Sequence, residues 1–295
     1  MKIKLINIYS FPVRANTDWL ILEIVSENNI KGYSELTMSN YYKRDELISI
    51  TKKIIKKLSN KDVENDNQVK EVLEENREES LIFNTSVSGI RSACSDIFSK
   101  IKRVPMNIYL AELKKRKISN SVELYANINR SLLPNNDGPV DRSPNSFFNM
   151  AKRAKNAGFK KIKCAPFDGF ENEEYEDKKF ISGGIDKVSL ISKNLKNEIE
   201  ILVDCHSKFN LKESQAAEKD LYDLGIKWFE EPMDPQKNLE ELKELKLLIK
   251  GKLVGGEEFY GVNKFYTLIK NNFLDIVMPD IKYCGGIEEA MNIGI

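Results

Sequence analysis

Residues 200–206 read EILVDCH, 226–232 IKWFEEP, 252–258 KLVGGEE and 274–280 LDIVMPD. Each is a short apolar run that ends in acid: Asp204, then Glu230 and Glu231, then Glu257 and Glu258, then Asp280. From 204 to 230, 257 and 280 the first acids advance by 26, 27 and 23 residues, the length of one strand, one helix and two short loops. The stretch therefore counts β/α units. In a barrel of parallel strands the side chains at the strand C-termini converge on one mouth, so acids far apart in sequence meet in space. Asp204, Glu230 and Glu257 would then make an oxygen cage for a hard divalent cation, Mg²⁺. Each also suits the first turn of the helix that follows, where a negative charge meets the helix dipole. Three in succession, one unit apart, favour the shared role.

Upstream the grammar differs. KIKLINIY (2–9) and WLILEIV (19–25) read as strands, and the Asn/Gly turn in NNIKGYSEL leads to a return strand, giving an antiparallel meander. From Arg44 to about Leu113 apolar residues recur at helical steps, and Pro105 ends the last strongly periodic run. Strands followed by helices make residues 1–118 an α+β capping domain. From ELYANINRSL (123–132) onward strand and helix alternate. A loop (134–145), the helix SFFNMAKRAKNAG with Gly158 as C-cap and the strand FKKIKCAPF precede the acid-tipped units. The charged loop 168–184 is long enough to suggest a function. The expected fold class is α/β, with residues 119–295 forming a TIM-like (β/α)7β barrel whose C-terminal strands are missing from this chain. Six strand-like runs lie between Glu123 and Asp280 where closure needs eight, and IEEAMNIGI (287–295) reads as the start of a helix. A natural reading frame continuing with two more strands is the expectation.

Forty-six basic and 45 acidic residues give a net charge of +1, so no global field argues for nucleic acid or an anionic membrane as partner. No apolar stretch approaches the roughly 18–20 residues of a membrane span, and the N-terminus lacks a signal-peptide pattern. Cys94, Cys164, Cys205 and Cys284 are widely separated, three of them within apolar runs, which suits reduced thiols in a cytoplasmic protein.

VDCH, WFEEP, VGGEE and MPDIKYCGG, in this order behind an α+β domain, resemble the enolase superfamily and within it the mandelate racemase-type acid-sugar dehydratases. SGIRSACSDIFSKIKRVP is similar to the helix and Pro that close the family's cap. The resemblance implies Mg²⁺ on Asp204, Glu230 and Glu257, holding a hydroxy-acid carboxylate while its α-proton is removed. Such a proton is very weakly acidic, so the dianion formed needs concentrated positive charge. Lys163 would add its ammonium at that carboxylate. The family commonly has Lys-X-Lys on this strand, and Ala165 stands where the second lysine would be. His206, the only histidine, lies two residues past Asp204; strand alternation puts both on one face, and the resemblance implies that it protonates a departing 3-hydroxyl. Asp280 resembles the acid that orients the family's catalytic histidine, which has no counterpart here. Asn127 and Asn129, on one face of the first barrel strand, are candidates for substrate hydroxyls. Glu231, Glu258 and Lys282 flank these positions.

The leading expectation is thus a Mg²⁺-dependent sugar-acid dehydratase, homo-oligomeric at full length. A racemase or epimerase using the same enolisation, and a catalytically silent relative, are the alternatives. Substrate choice is assigned to the regions 13–19 and 37–42.

Overall fold

A computed structural model describes residues 1–14, 17–38, 43–75, 79–119, 121–132, 141–170, 174–175, 178–195 and 197–295. Residues 15, 16 and 39–42, in the expected specificity regions, and most of the loop 134–145 lie outside this set. By contacts the chain forms two compact units, one of Met1–Asn120, Glu257–Tyr266 and Pro279–Ile295, the other of Ser121–Gly256 and Thr267–Met278. Segments 257–266 and 279–295, which the sequence continues from the barrel run, thus group with the N-terminal unit.

The first unit carries the expected meander, β1 (Ile3–Arg14), β2 (Thr17–Ser26) and β3 (Lys31–Glu35), all antiparallel. Alternation sends Leu20, Leu22 and Ile24 of β2 inward, where they are at most 2% exposed and join the core with Val87, Ile90 and Ala93 of the helix Leu81–Ile101. Gly32 permits this approach: a Cβ there would stand 2.0 Å from the Ala93 carbonyl oxygen. The helical region resolves into Arg44–Ile55, Asp66–Glu74, Leu81–Ile101 and Met106–Lys114. Asn65 starts the polar second helix by accepting from Gln68 N, and Ser80 starts the third by accepting from Phe83 N.

The closing helix Ile287–Ile293 sits on this helical layer through buried polar groups. Ser95 and Tyr109 donate to Glu288 Oε1 at 2.8 and 3.0 Å, and Arg91 Nη2 donates to Glu289 Oε2 at 3.0 Å. Lys70 Nζ donates to both Glu289 oxygens, at 3.0 and 3.1 Å. Neighbouring acids so buried need such partners, because an unpaired charge in the interior costs several kcal/mol.

The second unit is built on six parallel strands in chain order: β4 (Ala126–Asn127), β5 (Lys161–Cys164), β6 (Glu200–Asp204), β7 (Trp228–Glu230), β8 (Lys252–Gly255) and β9 (Ile276–Val277). This is the sheet of a (β/α) barrel, not closed among the described residues. Helices Pro144–Asn156, Lys179–Leu195, Leu211–Asp223 and Leu239–Leu248 alternate with the strands. The first of them ends as the sequence predicts: Gly158 takes φ +92°, Gly158 N reaches Lys155 O, and Phe159 N reaches Ala154 O.

Two local expectations are corrected. The run 123–132 yields only two paired strand residues, then a 3-10 turn over Asn129–Leu132. Asn127 and Asn129 therefore do not share a strand face; Asn127 Oδ1 instead accepts from Asn129 N at 3.0 Å. The loop after β5 ends earlier than residue 184, because the next helix begins at Lys179.

All four cysteines are buried and unpaired. Burial pushes the thiols of Cys164 and Cys284 up to about 12 and raises those of Cys94 and Cys205 as well.

Candidate active site

Register brings the first charged residues together. In the β6/β7 ladder Asp204 stands opposite Glu230, and β5 places Lys163 beside Leu202. All three side chains point to one place. Lys163 Nζ lies 3.0 Å from Asp204 Oδ2 and in direct contact with Glu230 Oε1. None is more than 7% exposed. Trp228 Nε1 donates to the other Glu230 oxygen at 3.0 Å.

Burial and the neighbouring Asp204 raise the pKa of Glu230. Burial opposes ionisation of Asp204 too, but the hydrogen bonds and charges of His206 and Lys163 win and lower its pKa. Lys163 is buried as well, yet the two carboxylates hold its pKa above the ordinary lysine value.

His206 joins this cluster by a route other than strand alternation. The strand stops at Asp204, and His206 and Ser207 both take left-handed backbone, at φ +49° and +57°. That turn brings His206 Nε2 to 3.3 Å from Asp204 Oδ2 and Nδ1 to 2.8 Å from Asp168 Oδ2. The hydrogen bonds to Asp168 and Asp204 push its pKa up to about 10, so the ring is an imidazolium at neutral pH. Its side chain remains 42% exposed. A charged, accessible imidazole beside buried carboxylates can give a proton to a bound molecule.

Asp168 is the residue that sequence reasoning missed. It closes the run CAPFD (164–168) in a turn after β5, but it stands 36 residues before Asp204, outside the 23–27-residue spacing of the other strand-end acids. Burial opposes its ionisation, but His206 and Lys208 draw its pKa down.

Glu257, half-buried two residues past β8, and Asp280 belong by contacts to the first unit. Asp280 Oδ1 accepts from Lys282 N at 2.8 Å, with Lys282 Nζ 3.6 Å from Oδ2. Asn127 is exposed, whereas Asn129 is buried with Oδ1 accepting from Arg142 Nη2 at 3.0 Å. Glu231 braces the end of β8: its Oε1 accepts from Gly256 N at 2.7 Å, and Gly255 leaves room for its side chain.

Among the described residues no group of three or more His, Cys, Asp or Glu side chains is placed to hold a metal ion. Asp204 and Glu230, oxygen donors converging on a single buried positive charge, nevertheless have the chemistry of part of a hard-cation site.

A parallel (β/α) sheet with a carboxylate–lysine cluster at its strand C-termini and an α+β unit ahead of it defines a class, and comparison with known proteins gives that class its family. Residues 148–294 match the model of the enolase C-terminal domain-like family, and the chain belongs to the enolase superfamily. It is 27% identical over 150 residues to the D-gluconate/D-galactonate dehydratase of Picrophilus torridus, covering 51% of this chain and 38% of that one. It is 29% identical over 110 residues to the arabinonate dehydratase of Saccharolobus solfataricus, covering 37% and 29%. The matched stretches thus span well under half of these relatives. A crystal structure of an enolase superfamily member from Salmonella Typhimurium superposes with a TM-score of 0.83 at 20% identity, over 99% of this chain and 76% of that one. That likeness establishes the fold. No described helix is long and apolar enough to cross a membrane.

Proposed function

We propose that the chain is a Mg²⁺-dependent dehydratase of a sugar acid, converting it to a 2-keto-3-deoxy acid. The observation that carries this reading is the meeting of Lys163, Asp204, Glu230 and His206 at the strand C-termini. The names of the two curated relatives agree with it. Asp204 and Glu230 would hold the cation, with Glu257, the next acid in the strand-end series, as third ligand. When bound, Mg²⁺ supplies the charge that makes a proton α to a carboxylate removable.

The chain's own groups account for the rest. Lys163 presents an ammonium that stays charged, and it neutralises the substrate carboxylate. A base takes the C2 proton; Asp280 is proposed as half of the dyad that does so. The C3–O bond then breaks, and His206 delivers a proton from its imidazolium so that the leaving group departs as water. The resulting enol tautomerises to the keto acid. The exposed Asn127 amide is available to substrate hydroxyls, while Asn129 acts through its bond to Arg142.

Ala165 argues against a two-base racemase that uses a second lysine at this position, and leaves another group to move the proton. The test is to incubate the protein with Mg²⁺ and a panel of α-deuterated sugar acids. Keto-acid formation supports dehydration, deuteron loss without keto acid indicates an epimerase, and loss of neither indicates a silent relative. His206→Asn is expected to lower dehydration by about 10²–10⁴-fold while sparing deuteron loss.

A further inference from the structure

The turn Ala165–Asp168 after β5 has each of its four carbonyl oxygens held by a side chain. Arg142 Nη2 donates to Ala165 O at 2.8 Å, and Lys187 Nζ to Pro166 O at 2.9 Å. The Tyr175 hydroxyl donates to Phe167 O at 3.2 Å. Asp168 O receives both Arg142 Nε at 3.2 Å and Lys187 Nζ at 3.4 Å. Loop carbonyls are ordinarily left to water. Here two cations hold one turn, Arg142 half-buried and Lys187 only 5% exposed. Burial, with Arg142 nearby, pulls the Lys187 pKa down to about 8, a measure of what this placement costs.

What the turn carries is the Asp168 carboxylate, whose Oδ2 lies 2.8 Å from His206 Nδ1. A carboxylate on one ring nitrogen fixes which nitrogen faces the reaction and how the ring is rotated. His206 needs such a brace because it stands on left-handed backbone beyond the strand, with an exposed ring that packing alone does not hold.

We propose that Asp168 is the positioning residue of His206: it accepts the Nδ1 proton and so fixes the ring with Nε2 turned to the carboxylate–lysine cluster, 3.3 Å from Asp204 Oδ2, and Arg142 and Lys187 hold the turn that aims it. This rests on His206 being the acid named under Proposed function.

His206 is the only histidine, so the full chain labelled with ¹⁵N-histidine gives a single imidazole signature. In the wild type the Nδ1 proton is expected to be protected from exchange with water. In Asp168→Ala that protection is lost, kcat for water elimination falls roughly 10- to 100-fold with KM little changed, and α-deuteron loss is spared. Asp168→Glu recovers part of both signals. A freely exchanging Nδ1 proton in the wild type overturns the proposal without any variant being needed. So does an Asp168→Ala protein with an unchanged imidazole spectrum and kcat. A protected proton that Asp168→Ala releases, in a protein that dehydrates no sugar acid, sustains the positioning and removes the dehydratase reading instead.

Discussion

Arg91 and Asp66 form a two-pronged ion pair out of solvent: Nε to Oδ1 at 2.8 Å and Nη2 to Oδ2 at 2.5 Å, with side chains 1% and 3% exposed. The same guanidinium reaches Glu289, so one charge ties the helices Asp66–Glu74 and Leu81–Ile101 to the closing helix. Removing one member strands the others, which typically costs about 3–5 kcal/mol. Arg91→Ala is expected to lower the urea midpoint accordingly. A shift under about 1 kcal/mol would mean that water replaces the guanidinium readily.

Gly184 lies where a Cβ would stand 2.2 Å from the Phe167 ring, and Phe167 is fully buried within the turn that carries Asp168. Gly184→Ala must push that ring aside, at a cost of about 1–3 kcal/mol. Thermal melts should show the loss. Gly225, whose surroundings are open, provides a contrast, because there only its φ of +82° penalises alanine.

Lys187 makes stability depend on pH in a defined direction. Its folded-state pKa of about 8 lies below its ordinary 10.5. Below about pH 8 both states hold the proton and the penalty is constant. Between about 8 and 10.5 the unfolded chain keeps a proton that the folded chain has released, so stability rises with pH. The difference between wild type and Lys187→Met, measured by denaturant melts at pH 7 and pH 10, should move in favour of wild type. An unchanged difference would place the ammonium in water.

Mg²⁺ should raise the melting temperature, since a ligand at about a hundred times its dissociation constant adds about 2.7 kcal/mol to the folded state. Glu230→Gln should remove most of that shift, and Glu257→Gln tests the third ligand separately. Equal shifts in all three proteins would put the cation elsewhere.

The strand-end pattern made much of this legible from sequence. Apolar runs closing on Asp204 and Glu230 gave the parallel units, and the structure pairs those two residues in register beside Lys163. His206 was reached by the wrong geometry: alternation requires a strand that continues, whereas the chain turns through left-handed backbone. Asp168 was illegible because its placing depends on Arg142 and Lys187, from two other elements, and tertiary hydrogen bonds to backbone oxygens leave no periodicity to read. The run 123–132 promised a long strand from composition, but its Asn side chains compete for backbone groups, as Asn127 does with Asn129 N, and end the ladder.

The four buried thiols have a practical consequence. With each sulfur enclosed and held protonated well above neutral pH, the folded chain presents little thiolate to a maleimide or a disulfide reagent. A cysteine introduced at an exposed position such as Leu247, a residue 81% exposed, would become the fast-reacting group on the molecule. The native chain is in this respect already a blank ground for single-dye labelling, and slow modification of its own cysteines would report how often its interior opens.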